Sequence, residues 1–294
     1  MSHGGKPVLA FPNYVDSSFY TVSFSGGSWQ ASLPLSNLAD PLLAKVARST
    51  SASLVNAQFD IDLGAPRPMR VFAIPRCNLS RNALIRIRGS TTAGSFGSPV
   101  YDSGWVDVWT RIYEFGSLPW GHPSFWDGKL DSESALDYDV AFIHVASTIT
   151  GLARYWRWEI DDTANADGYV ELARLFMTSG WIPTRGIRPG DALGVLTDTQ
   201  VERSLGGVDY FERQNPRRLA QFALAMNDVN EVYSNAFEMM RRQGVDRQVY
   251  YIRNADDSAN LHRTSFLATM RALSPIEFPY HDQAVFAGEL QEVL

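Results

Sequence analysis

The sequence predicts a mainly β protein in two parts: an antiparallel β-sandwich up to about residue 180, then an α+β half with one main helix. Three observations carry this. Before residue 180, apolar and polar residues alternate with period 2 in several short windows separated by turn residues, with almost no helical periodicity. A Gly/Pro-rich stretch at 180–190 then interrupts the pattern. Beyond it, a window at 229–240 has apolar residues at helical spacing and strand-like runs on both sides.

Taken in order, the window 53–63 is the plainest strand. Val55, Ala57, Phe59, Ile61 and Leu63 point one way, and Asn56, Gln58, Asp60 and Asp62 the other. Gly64-Ala65-Pro66 is expected to break it. A short apolar strand follows at 70–74, stopped by Pro75. Ala83, Ile85 and Ile87 alternate with Arg86 and Arg88 until Gly89. Trp156, Trp158 and Ile160 alternate with Arg157 and Glu159, and 170–177 reads as one more strand.

In the second half, Phe222, Leu224 and Met226 mark one face of a strand at 219–226. The helix follows, with Val229, Val232, Tyr233, Ala236, Phe237 and Met240 on its apolar stripe. Asp228 and Glu231 fit a capping box, Arg241 and Arg242 suit the C-terminal dipole, and Gly244 supplies the stop. Strands are expected at about 248–253, 264–273 and 284–293, and another at 207–213. The expected organisation is an N-terminal arm at 1–14, the sandwich at 15–179, a linker or extended arm at 180–206 packed down by Trp181, and the α+β domain at 207–294.

The segment Phe59-Asp60-Ile61-Asp62-Leu63-Gly64 carries a family resemblance. Together with Val71-Phe72-Ala73-Ile74, Ile85-Arg86-Ile87-Arg88-Gly89-Ser90 and Ala153-Arg154-Tyr155-Trp156-Arg157-Trp158, it resembles the galactose-binding-like (discoidin-type) jelly rolls in order and spacing, over about residues 15–178. That resemblance implies an eight-stranded jelly roll whose loops at one end bind sugars or calcium. Arg217-Arg218-Leu219-Ala220-Gln221-Phe222, a helix, Val249-Tyr250-Tyr251-Ile252 and a closing Gly288-Glu289-Leu290-Gln291-Glu292-Val293 resemble the tube-like domain of phage tail and tail-tip proteins. The pairing looks like distal-tail or tail-tip (baseplate) proteins of long-tailed bacteriophages, although here the ring domain comes second rather than first. It implies a virion structural protein that assembles in the host cytoplasm and resides in the virion tail. Its partners would be copies of itself in a ring, the tube, hub and fibre proteins, and host surface glycan.

Composition narrows the chemistry. The 294 residues are 45% apolar and 20% charged, enough for a buried core, and the net charge of −6 with no basic tract argues against a dedicated nucleic-acid binder. No apolar run approaches the ~18 residues of a membrane span, so no membrane insertion is expected. The first six residues lack the basic-then-apolar layout of a signal peptide. Cys77 is the sole cysteine, which excludes an internal disulfide framework and a Cys-based zinc site; a buried structural thiol is expected. His3, His122, His144, His262 and His281 form no zinc-hydrolase spacing, and no nucleophile elbow or phosphate loop is present. Gly94 and Gly97 read as a turn, and His144 as a sheet histidine.

Glycosidases need two carboxylates across a cleft. The adjacent pairs are Asp60/Asp62, Asp161/Asp162 and Asp256/Asp257, expected on the wet face of a strand and in turns. No catalytic residue is assigned and no cofactor is expected. A structural calcium is the one metal considered, with Asn37 and Asp40 as its hard oxygen donors. The long loop 116–130 carries Trp120, Phe125 and Trp126, with Trp105 and Trp109 just before it. It reads as a sugar platform, a protein-docking loop or a cap on the sandwich core. Arg217, Arg218, Arg241 and Arg242 are expected to pair with acids such as Glu289 and Glu292 of a neighbouring subunit. The expected function is therefore a non-enzymatic tail-tip component; the alternatives are a carbohydrate-binding adhesion module and a glycan hydrolase.

Overall fold

The structure, a computed structural model, describes residues 3–130, 140–226, 228–280 and 283–294; His281 lies outside them. Up to residue 180 the strands are β1 (Val8–Ala10), β2 (Ser23–Ser25), β3 (Val46–Arg48), β4 (Phe59–Arg67), β5 (Val71–Cys77), β6 (Leu84–Ser90), β7 (Tyr101–Asp107), β8 (Val140–Val145), β9 (Ala153–Asp161), β10 (Glu171–Ala173) and β11 (Phe176–Thr178). Strands β2 to β11 make two five-stranded sheets: β2–β4–β9–β6–β7, and β11–β5–β10–β3 with β8 added on β5. The chain crosses repeatedly from one sheet to the other, which is the wrapping of a jelly-roll sandwich. The apolar sides of β4, β6 and β9 meet Phe72, Ile74, Phe142 and Leu172 between the sheets. Their wet sides carry cross-strand ion pairs, Asp60 with Arg157 and Glu159 with Arg88, so the period-2 pattern follows from one dry and one solvated face.

The second sheet is dry on both faces. Phe72 and Ile74 of β5 point into the sandwich, while Val71 and Ala73 pack outward against the C-terminal half. That is why 71–74 shows no alternation. Pro75 does not stop β5; it falls where the register with β8 shifts, between Ile74 and Cys77, a place where a missing N–H is tolerated.

Three more expectations fail in this half. Residues Leu54–Ala57 form a helical turn, and Val55 is 69% exposed; the strand begins only at Phe59. Gly64, at φ +71, bends β4 instead of ending it. The window 170–177 splits into β10 and β11 at Arg174, which adopts φ 37, so the described sandwich has ten strands where the resemblance implied eight.

The C-terminal half contributes β12 (Ala192–Leu196), β13 (Gln200–Arg203), β14 (Asp209–Glu212), β15 (Arg217–Met226), β16 (Gln248–Ile252), β17 (Ser265–Ala272), β18 (Glu277–Tyr280) and β19 (Gln283–Glu292). The order β1–β16–β17–β19–β15–β12, with β18 on β19, is a seven-stranded sheet that curls into a half barrel. One face takes the main helical segment, 229–243, through Val232, Ala236 and Met239 against Phe222, Tyr251, Phe266 and Phe286. The other face packs on the sandwich through Tyr250, Ile252 and Leu267. Val8–Ala10 is buried because it lies between these two cores and closes the β16 edge.

The helix is not uniform; it widens to a π turn over Val232–Phe237. Asp228 caps it by accepting from the Asn230 N–H, but Glu231 does not complete the box. Its carboxylate instead accepts from Trp181 Nε1 (3.1 Å) and Thr184 N (2.8 Å), tying down the 180–190 stretch. The stretch 180–206 holds β12 and β13 rather than linker alone, and the 207–213 window is the return strand of a β13–β14 hairpin that stands apart from the sheet. Among the described residues no helix is long and apolar enough to cross a membrane.

Candidate functional site

The loop after β7 is closed at its neck by two hydrogen bonds, from the N–H groups of Ile112 and Tyr113 to the Gly128 carbonyl (2.9 and 3.0 Å). Gly128 sits at φ +65, and a Cβ there would come within 2.5 Å of the Tyr113 oxygen, so the neck requires glycine. Arg81 braces the loop from below, donating to Asp127 (2.5 Å), Ser124 Oγ (3.2 Å) and the Lys129 carbonyl (3.1 Å). Lys129 is buried and returns the brace, reaching the Arg81 carbonyl (3.0 Å) and Asp107 (2.7 Å). These partners satisfy the buried ammonium, the condition for burying a charge at all.

On this base stands a cluster of rings. Phe125 is half-buried at its centre, 5.2 Å from Trp120, 5.1 Å from Trp126 and 6.4 Å from Phe115, all edge-on or tilted. Trp120 and Trp126 are 5.6 Å apart. Phe115, Trp120 and Trp126 are 78%, 80% and 69% exposed. A cluster of exposed rings of this kind is a candidate interaction surface. Tyr113 and His122 add an edge contact at the rim, where His122 Nδ1 also accepts from the Ser124 N–H.

Of the five aromatic residues expected from sequence, three therefore meet. Trp105 lies on β7, half exposed and away from the cluster's ring contacts. Trp109 is buried, with Nε1 donating to the Leu79 carbonyl and its ring against His262; it anchors the loop's approach rather than facing solvent.

The four arginines expected at a subunit boundary have partners within the chain. Arg218 holds Glu292 through its backbone N–H (2.8 Å) and Nε (2.9 Å), Arg217 lies 3.8 Å from Asp198, and Arg241 and Arg242 both grip Glu238 (2.8 Å). The two guanidinium groups hold the Glu238 carboxyl down at about 2. Glu289 pairs with Arg271 at 2.7 Å. Of the calcium candidates, Asp40 takes Lys45 and the Leu42 N–H, while Asn37 donates through Nδ2 to the Val46 carbonyl.

Each carboxylate pair also has structural work. Asp60 and Asp62 are gripped by Arg157 and Arg154 at 2.6 Å, and the Arg154 hydrogen bonds hold Asp62 below the usual range. Asp162 is buried and accepts from Ser80 and Asn165, while Asp161 ends β9. Asp256 accepts from the N–H groups of His3 and Gly5, and Asp257 from Asn260. Cys77 is buried and its thiol is pushed up to about 12 by burial. His144 is the expected sheet histidine, bonded to the Tyr101 hydroxyl at 2.6 Å and pushed down to about 4 by burial.

No family model matches the chain, and no curated protein matches it in sequence. Solved structures do. The lectin domain of lectinolysin, complexed with Lewis B antigen, is 14% identical with a TM-score of 0.36, over 57% of this chain and 96% of that domain. The chitosan-binding module 1 of a chitosanase/glucanase from Paenibacillus sp. IK-5 is 15% identical with a TM-score of 0.33, over 57% of this chain and 98% of the module. The family 89 glycoside hydrolase from Clostridium perfringens is 12% identical with a TM-score of 0.36; the match covers 57% of this chain and 14% of that enzyme.

Sequence reasoning passed over two things. Phe115 belongs to the platform, and Arg81, Asp127 and Lys129 hold it; nothing in local spacing links Arg81 to a loop more than forty residues later, as only the fold does. Of the β13–β14 hairpin only the return strand was expected; its first strand was readable too, because Gly206-Gly207 between two short polar/apolar runs is a hairpin signal.

Proposed function

We propose that the protein is a non-catalytic glycan-recognition component whose sandwich half holds carbohydrate against the Trp120–Phe125–Trp126 platform. The observation that carries this is a cluster of exposed indoles on a base already braced by Arg81 and Lys129. Flat apolar rings with polar N–H edges suit the face of a pyranose, and a site built in advance loses little freedom on binding. The engagement of five of the six candidate acids in ion pairs or hydrogen bonds supports binding without hydrolysis. Titration with host-envelope polysaccharides, read by tryptophan fluorescence and repeated on Trp120→Ala and Trp126→Ala, tests it. Saturable binding lost in both variants is the expected result; silence of the wild type at millimolar sugar discards the reading.

A second reading places the protein in the tip of a long phage tail, assembled around the axis with copies of itself and docked to tube, hub and fibre proteins. One observation favours it. The segment 192–212 leaves Leu193, Val195, Val201, Leu205, Tyr210 and Phe211 exposed to solvent. Exposed strands with apolar side chains are an association surface. Both readings hold together for an adhesion component of a tail. Electron microscopy and mass spectrometry of tail particles decide the location, and absence from purified tails excludes it.

A further inference from the structure

Two features at opposite edges of the curled sheet complement each other. On the β1–β16 side of the sheet a cleft of about 190 Å³ opens between the chain after β1 and the end of the helix, lined by Asp16, Phe19, Tyr20, Arg242, Gln243 and Arg247 among others. Arg247 lies flat on Phe19, 3.6 Å from its ring centre. Arg67 stacks on Tyr14 and Tyr20 at 4.4 and 4.7 Å, with its Nε buried and lacking an acceptor. Among the described residues neither guanidinium has a carboxylate partner. Asp16, which lines the cleft, is already engaged by the buried Arg174 at 2.9 Å, and Arg242 shares Glu238 with Arg241. With Asp16 and Arg242 committed elsewhere, the uncommitted guanidinium in the cleft is that of Arg247 on Phe19, and Arg67 stands beside it behind Tyr20; guanidinium groups set against aromatic faces favour forked binding of carboxylates.

At the other edge stands the β13–β14 hairpin. Its register sets Gln200 opposite Glu212 and Glu202 opposite Tyr210. Glu202 and Glu212 therefore share one face with Tyr210, while Val201 and Phe211 share the other with the Arg203–Asp209 pair. Among the described residues Glu202 and Glu212 have no cationic partner. Four strand spacings separate β12 from β16, on the order of 20 Å. The hairpin leaves the sheet from β12, four strands along from β16.

We propose that the cleft is the dock for the acidic face of this hairpin from a second copy of the chain, with Glu202 and Glu212 of one copy meeting Arg67 and Arg247 of the next. The inference rests on the assembly reading above and names its contact. Two unpaired carboxylates face two guanidinium groups with room to receive them, and Tyr210 supplies the aromatic surface beside Phe19 and Tyr20. Because donor and acceptor lie at opposite edges, the contact is heterologous, so it propagates side by side and closes into a ring or continues as a filament.

Sedimentation of the full chain over a concentration series tests it, with circular dichroism melts to show that each variant is folded. The wild type is expected to associate, and less so in high salt. Glu202→Arg with Glu212→Arg, on a hairpin outside the core, and Arg67→Glu with Arg247→Glu should each weaken association by about tenfold or more. An equimolar mixture of the two double variants should recover it, since each then offers the charge the other lacks. A wild type that stays monomeric throughout overturns the assembly reading and this contact together. Association that ignores both reversals leaves assembly standing and removes this dock. Weakening by both with no recovery on mixing also removes it.

Discussion

The loop that presents Trp120 and Trp126 is braced by Arg81 and a buried Lys129, whereas the hairpin that presents Val201 and Phe211 is held by its own four-pair ladder. Both leave large apolar side chains in water, but their supports differ in kind. A braced cluster keeps its shape without a ligand, so its exposure reads as a pre-organised site. A hairpin with no core contact of its own reads as a surface whose cover comes from another chain. Exposure alone does not distinguish these cases; the scaffolding beneath the exposed residue does.

The largest effect sharpens the contrast between buried and presented aromatics. Trp158 is fully buried between the sheets, stacked on Phe59 and edge-on to Phe142. Trp158→Ala should cost about 3–5 kcal/mol in urea unfolding. A loss below about 1 kcal/mol would mean that the two sheets do not share this core.

Acid comes next. Burial depresses both His144 and His262 to about 4 from the ordinary 6.5. The unfolded chain therefore takes up protons below pH 6.5 while the folded chain does not, so stability is full above that pH and falls as pH drops toward 4. The loss should be on the order of 2–3 kcal/mol per histidine across the window. Unfolding measured at pH 7 and pH 4.5 checks it, and His144→Gln should shrink the difference. An unchanged slope would show that His144 is not held neutral by the fold.

Gly128→Ala is aimed at the brace alone. It adds a Cβ against the Tyr113 carbonyl at φ +65, with an expected cost of about 1–3 kcal/mol and loss of glycan binding, while the hairpin keeps its association. Loss of both activities would show that the two surfaces are not independent. Smaller still, Trp120→Ala with Trp126→Ala should change stability by no more than about 0.5 kcal/mol, because the rings pack mainly on each other. Tyr210→Ser, on the face that carries Glu202 and Glu212, should move monomer stability least of all, within about 0.5 kcal/mol, yet weaken self-association. A cooperative loss of fold in that last variant would contradict a hairpin standing apart from the core.

Legibility followed the environment of each strand. Where one face is dry and the other wet, as in β6, β9 and β15, the alternation located the element to within about two residues. The same rule misled at Leu54–Ala57, where Val55 and Ala57 extend the parity of β4 by coincidence while the chain turns through a helical loop. β5 and β16 were found as apolar runs, but their lack of alternation carried a second message: both are dry on two faces, because the sandwich and the curled sheet share a core. The platform was half legible. Its tryptophans stood out in a long loop, but which of them face solvent depended on Trp109 folding inward.

By itself, the sequence determined the mainly β architecture, the site of the main helix, the buried thiol at Cys77 and the unusual aromatic loop. These depend on residue periodicity and local composition, which operate over a few positions. Only the tertiary structure decided that Val8–Ala10 closes a sheet made chiefly by the last fifty residues, and that Arg81 and Lys129 build the platform. Only it showed that Arg218, Arg241 and Arg242 pair with acids of their own chain while Arg67 and Arg247 do not. The physical reason is that pairing and burial are set by distance in space, and charges far apart along the chain meet only after the backbone has spent its hydrogen bonds on the sheets.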